Sequence, residues 1–209
     1  MKKMFFKTAI VMAMASMSLS SLAQAHEHDH KGHDQKDHDG MKAETPVSGT
    51  SVLQLGSTWK NQKGESINLK DLSGSPRLVA MLFTRCQTAC PLIVEDIKDV
   101  VKDIDSKRKG KKIDVSIFSI DSFRETPESL AAFATKRNIP AHWGLYASNG
   151  DAVAELAGAL GVRYKRLTDG DFIHSNVIYF LNAKGEVVAQ KEGIKTPRAE
   201  FLTKIRAAL

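Results

Sequence analysis

From about residue 51 to the end, apolar positions alternate between two periods, one of strands and one of helices, separated by short polar breaks. Residues 52–55 and 66–69 flank Asn61-Gln62-Lys63-Gly64, which predicts an opening hairpin. Residues 78–83 form an uninterrupted apolar run of strand length, the pattern of a strand covered on both faces. The period then becomes helical. Leu92, Ile93, Ile97, Val100, Val101 and Ile104 share one stripe, with Glu95, Lys98, Asp99, Lys102 and Asp103 largely off it, and Gly110 is expected to end the helix. Residues 113–120 alternate as a second inner strand, and Thr126-Pro127 supplies a capping hydroxyl and a first-turn proline for the next helix. A short strand over 143–146 and a helix over 151–160, stopped by Gly161, come next. Residues 176–181 and 186–190 pair around Asn182-Ala183-Lys184-Gly185, and Thr196-Pro197 opens a final helix.

Strand–helix alternation ending in a hairpin and a helix implies an α/β sheet covered by helices. The order is that of a thioredoxin-like fold with an N-terminal hairpin and an inserted helical unit. The predicted domain spans residues 51–209, a size typical of a single domain. The chain before it has a different character. Lys2 and Lys3 precede an apolar stretch over 9–15, a small and mildly polar stretch over 16–21, and Ala23-Gln24-Ala25, the pattern of an export signal cleaved after Ala25. The apolar stretch is shorter than the roughly 20 residues a membrane span needs, so no integral span is expected after cleavage. Residues 26–40 contain no apolar side chain and read as a disordered His-rich tail, joined to the domain by a linker containing Pro46 and Gly49.

The formal charge of the 209-residue chain is +6, and it falls to +3 without the three lysines of the first 25 residues. No basic helix interleaved with aromatics accompanies it, which excludes nucleic acid as a partner. Only two cysteines exist, Cys86 and Cys90. An oxidising compartment makes a disulfide the default for a lone pair, yet so short a loop gains little from closure. The pair lies between the first inner strand and the first long helix. Pro91 suits the first helical position, which puts Cys90 near the N-cap and Cys86 in the loop before it. The positive end of the helix favours thiolates there. Three residues separate the cysteines, rather than the two of the redox signature of thioredoxins. Both sulfurs can then face one ion, and soft sulfurs suit Cu(I). Spacing alone leaves metal site, redox pair and inert disulfide open.

Thr84-x-Cys86-x-x-x-Cys90-Pro91 resembles the cysteine motif of the SCO/SenC copper proteins. Gly64-x5-Lys70-Asp71-Leu72-x-Gly74 is similar to that family's opening segment. Ser119-Ile120-Asp121-x-x-Arg124-x-Thr126-Pro127-Glu128 resembles its second-strand motif. Asp171-Phe172-Ile173-His174-Ser175-x-x-x-Tyr179-x-Leu181-x-x-x-Gly185 resembles its histidine motif. The resemblance spans about residues 58–190. It implies that Cys86, Cys90 and His174 hold copper as Cu(I) and Cu(II). It further implies a periplasmic role in assembling the copper centre of cytochrome c oxidase, by delivering copper or by keeping that site's cysteines reduced. The implied partner is a copper-site protein such as a cytochrome c oxidase subunit, or another copper chaperone. The family usually carries C-P-D-V-C, whereas Gln87, Thr88 and Ala89 stand between the cysteines here. The ligands remain; partner choice and redox tuning are what the change touches.

Three functions are compatible with these residues. The leading one is a copper metallochaperone without turnover of its own. The others are a thiol–disulfide oxidoreductase using Cys86 and Cys90 as a redox-active pair, and a periplasmic copper scavenger or resistance protein. Cleavage after Ala25 leaves His26-Glu27-His28 at the N-terminus. The amine, two backbone nitrogens and the His28 imidazole then offer a square-planar site for Cu(II) or Ni(II). His30, His33 and His38 add weaker sites, open to Zn(II) as well; the bland alternative is a solvated spacer. His142 reads as structural, Asp121 and Arg124 as shaping the site, and Trp59, Trp143 and Tyr164 as packing residues.

Overall fold

The computed structural model describes residues 41–46, 49–108 and 110–209. A hairpin of β1 (Thr58–Asn61) and β2 (Ser66–Asn68) opens the sheet. The Asn61 side-chain oxygen accepts the N–H groups of Lys63 and Glu65, and Gly64 takes the positive φ that the turn requires. Residues 52–55 do not form the first arm of this hairpin. Val52–Gln54 is a single 3-10 turn capped by Ser51. Val52 and Leu53 are buried in succession, which a half-buried strand does not allow.

β3 (Arg77–Leu82) is buried along its whole length, as its apolar run predicts. Even Arg77 lies inside, donating to Ser116 Oγ and to the Leu72 carbonyl. α1 (Ala89–Asp105) follows and turns Ile93, Ile97, Val100 and Ile104 inward. It ends with a C-cap at Ser106, not at Gly110. β4 (Asp114–Ser119) then runs parallel to β3. α2 (Pro127–Lys136) carries the expected Thr126 cap, whose hydroxyl accepts the Ser129 N–H. It leads to β5 (Gly144–Ala147), parallel to β4, and to α3 (Gly150–Leu160), which ends at Gly161 with φ +71.

A second, small sheet pairs β6 (Tyr164–Arg166) with β7 (Phe172–His174). β8 (Val177–Leu181) and β9 (Val187–Glu192) form the closing hairpin, and α4 (Ala199–Ala208) packs against β9 and α1. The final helix starts after Thr196-Pro197, because the Thr196 hydroxyl donates to the Glu192 carbonyl and closes a turn there instead. The main sheet has the order β2-β1-β5-β4-β3-β8-β9. Its centre, β4-β3-β8-β9, with two parallel strands and an antiparallel hairpin, is the thioredoxin-like core. β5 and the N-terminal hairpin widen it on one side. Trp59 and Trp143 are buried and Tyr164 packs against the core, as packing residues should. No helix among the described residues is long and apolar enough to cross a membrane.

Candidate metal centre

The cysteine loop leaves the carboxyl end of β3, where α/β sheets usually place their chemistry. Its start is clamped by Glu125, on the loop between β4 and α2. The Glu125 carboxylate accepts the Thr84 N–H at 2.9 Å, the Thr84 hydroxyl at 2.6 Å, the Ser119 hydroxyl at 2.7 Å and the Ser129 hydroxyl at 3.0 Å. These bonds tie the cysteine loop to the end of β4 and the first turn of α2. Sequence reading passed over Glu125. Its place inside the second-strand motif was the signal available.

Both cysteines are buried thiols. The helix begins at Ala89, so Cys90 is its second residue and Pro91 its third, each two positions deeper than the sequence suggested. Thr88 gives the helix no side-chain cap. The sulfur of Cys86 does so instead, accepting the Cys90 N–H at 3.3 Å. The two thiols therefore divide in character. A hydrogen bond from the Cys90 thiol, joined by the N–H groups of Cys90, Thr88 and Ala89, pulls Cys86 down to about 6. Burial pushes Cys90 well up, so it holds its proton. The helix start activates Cys86 and not, as expected, both sulfurs alike.

His174 is the last residue of β7, where alternation puts Phe172 and His174 inside and Ile173 outside. Nδ1 lies 2.9 Å from the Ser175 carbonyl oxygen and must donate to it. The lone pair is then on Nε2, which stands 3.8 Å from Cys90 Sγ. Burial holds the imidazole below its ordinary pKa and so neutral. Phe83 packs edge-on against His174 and also touches Phe172, giving the site an apolar wall. Asp121 and Arg124 stand behind that wall. Arg124 Nε donates to the buried Asp121 carboxylate at 2.5 Å, and the guanidinium lies over the Phe172 ring. They shape the site without lining it. His142 is exposed. The export segment and His26, His28, His30, His33 and His38 lie outside the described residues.

The donor set suits a soft ion: two sulfurs and a neutral imidazole whose lone pair faces one of them. With metal–sulfur and metal–nitrogen bonds of about 2.3 and 2.0 Å, as for zinc, two donors at trigonal angles stand about 3.7–3.8 Å apart. The Cys90–His174 separation matches that spacing. Among the described residues no three His, Cys, Asp or Glu side chains already form a closed cage. The contacts run in series, Cys86 to Cys90 to His174.

Cys86 is expected to be alkylated before Cys90, since it keeps 7% exposure against none and is the sulfur held as thiolate. Because its pKa is depressed, reactivity persists at neutral pH and falls as the pH drops through about 6. Mass-spectrometric mapping of iodoacetamide labelling across pH checks this. An ordinary thiol midpoint at Cys86 would show that the helix start does not hold a thiolate.

A sheet of this order with a low-pKa thiol, a buried thiol and an aimed imidazole defines a thioredoxin-like protein of thiol or soft-metal chemistry. The SCO1/SenC family model matches residues 53–209, and the chain belongs to that family. It is 28% identical over 160 residues to the SCO1 protein homolog of Bacillus subtilis, covering 72% of this chain and 80% of the relative. A putative electron transfer protein of Aquifex aeolicus shares the fold with a TM-score of 0.68 at 27% identity, covering 78% of this chain and 94% of that one. Copper-bound ScoI of Bradyrhizobium japonicum superposes with a TM-score of 0.60 at 22% identity over 74% of this chain and 99% of its own, a likeness of fold.

Proposed function

We propose that this protein is a periplasmic copper metallochaperone that carries copper on Cys86, Cys90 and His174 for assembly of the copper centre of cytochrome c oxidase. The observation that carries the reading is the Nε2 lone pair of buried His174, aimed at Cys90 Sγ from 3.8 Å. A structural histidine has no need of that aim. Membership of the SCO1/SenC family and the copper bound by a protein of the same fold support the metal; the leader-like first 25 residues support export. Copper is cargo here. Taking it up requires both sulfurs as thiolates, so loading releases the proton that burial keeps on Cys90. The apolar wall of Phe83 and Phe172 limits water at the soft donors.

One observation favours a second reading. A low-pKa, partly accessible Cys86 beside a buried, protonated Cys90 is also the arrangement of an attacking and a resolving thiol. A thiol–disulfide oxidoreductase acting on the cysteines of a copper-site partner would use that pair, and has no use for His174 as a ligand.

The test is titration of the reduced full chain with Cu(I) and Cu(II), beside His174→Ala. The variant should hold Cu(I) nearly as well as wild type, because two thiolates still satisfy a soft ion, and should lose about 10–100-fold in Cu(II) affinity. An unchanged Cu(II) affinity and spectrum would remove His174 from the site.

A further inference from the structure

Two guanidinium groups converge beside the cysteine loop. Arg124 lies on the loop between β4 and α2, next to the Glu125 that clamps Thr84, with its guanidinium over the Phe172 ring. Arg166, the last residue of β6, is the cross-strand partner of Phe172. Gly170, in the turn between β6 and β7 with φ +86, is where the two meet: a Cβ at that position would lie 3.1 Å from Arg124 Nη1 and 3.7 Å from Arg166 Nη2. Their donors are not used up. Arg124 Nε is bonded to Asp121, but its Nη2 is buried with no partner. A buried donor left unpaired costs free energy that a bound acceptor would return. Among the described residues no carboxylate pairs with Arg166. The nearby acids are engaged elsewhere: Asp169 and Asp171 accept the N–H groups of Asp171 and Phe172 in their own turn, and Glu125 holds its four donors. Arg166 is instead held over the Phe123 ring, 4.8 Å from its centroid. Phe123 is 71% exposed, and Ile173 on the outer face of β7 is partly exposed as well. Aromatic and arginine side chains together are what protein interfaces enrich.

We propose that Phe123, Arg124 and Arg166 form the docking site for a carboxylate-bearing segment of the protein that receives copper from the cysteine site. A carboxylate fits because it accepts from Arg124 Nη2 and from the fork of Arg166 at once, and an apolar neighbour on the same segment covers Phe123. A free phosphate would leave that ring bare. The segment would sit beside Thr84, at the start of the loop carrying Cys86, the more exposed of the two cysteines. Docking there orients the partner and speeds encounter, and itself transfers no atom or electron. The inference rests on the proposed function for the identity of the partner, and on these residues alone for the site.

The experiment titrates the reduced, isotope-labelled full chain with the peptide acetyl-Leu-Glu-Leu-amide and with its glutamine counterpart, read by amide and guanidinium NMR signals. The glutamate peptide should shift Phe123, Arg124, Arg166 and Gly170 saturably, with an affinity at least about 10-fold above the glutamine peptide and falling with salt. Arg166→Glu should abolish the shifts. In parallel, Cu(I) transfer from the loaded protein to a copper-free copper-site domain of cytochrome c oxidase should slow about 10-fold in Arg166→Glu and in Phe123→Ala, with Cu(I) retention unchanged. Equal binding of the two peptides, no saturable shift, or unchanged transfer in both variants would overturn the inference. So would displacement of the peptide by equimolar inorganic phosphate, or phosphatidylglycerol vesicles that sediment wild type and not Arg166→Glu, since each assigns the arginines to another anion. No transfer from the wild type, with the peptide shifts intact, would overturn the oxidase reading and uphold the carboxylate site.

Discussion

Replacing either cysteine by serine should abolish tight Cu(I) binding: one ion per chain in the reduced wild type and none in Cys86→Ser or Cys90→Ser, measured in competition with a thiol-strength chelator. The reason is donor softness. A hydroxyl is a hard, weakly acidic oxygen, and the remaining thiolate with one imidazole does not replace two sulfurs for Cu(I). Loss of the fold does not account for the result. A serine oxygen at position 86 can still accept the Cys90 N–H, which is what an N-cap residue does. At position 90 a hydroxyl can take over the donation that the thiol makes to Cys86. Far-ultraviolet circular dichroism should therefore match wild type while the copper stoichiometry collapses. Retention of one tightly held Cu(I) by Cys90→Ser would take the buried sulfur out of the site and leave the two-thiolate reading without support.

The largest effect on stability should come from Asp96→Ala. Asp96 on α1 and Lys191 on β9 form an ion pair at 2.6 Å with side-chain exposures of 5% and 2%. Lys191 Nζ also donates to the Gly193 carbonyl, and Asp96 accepts the Lys195 N–H. The pair connects the helix that starts at the cysteines to the outer strand of the sheet. Removing the carboxylate strands a buried ammonium, which costs about 3–5 kcal/mol. Replacing both partners with apolar side chains of similar size, as in Asp96→Leu with Lys191→Met, should recover most or all of that loss, because two charges then need no desolvation. Urea unfolding of the single and double variants gives the comparison. A loss below 1 kcal/mol for Asp96→Ala would mean that water reaches the pair. It would also remove this contact as the anchor of α1.

Much of the site was legible in the chain because it is local. The buried run of β3, the loop carrying Cys86 and Cys90 and the stripe of α1 follow one another directly, so period and spacing were enough to put two sulfurs between a strand and a helix. The capped start of α2 at Thr126 and the stop of α3 at Gly161 are equally local, since each is set by side chains or φ within a turn. The histidine motif singled out His174, which the fold brings within 3.8 Å of Cys90 Sγ. Local pattern failed at Val52 and Leu53, where consecutive burial came from packing beneath the closing hairpin rather than from alternation. It failed again at β6 and β7, each too short to show a period.

What the tertiary structure decided is what depends on groups far apart in the chain. Cys90 and His174 meet across 84 positions, and Glu125 reaches the cysteine loop across 41. No spacing rule encodes either contact. Sequence placed both sulfurs at one helix start and could not rank them. Folding separates them, because the first N–H groups of the helix point at Cys86 while the core closes over Cys90. The same holds for the tautomer of His174, which the Ser175 carbonyl selects, and for the path of residues 41–46 past Gly161, which depends on that residue's missing side chain. Covalent order supplied the donor types; burial and long-range hydrogen bonds determined which atom of each carries a free lone pair.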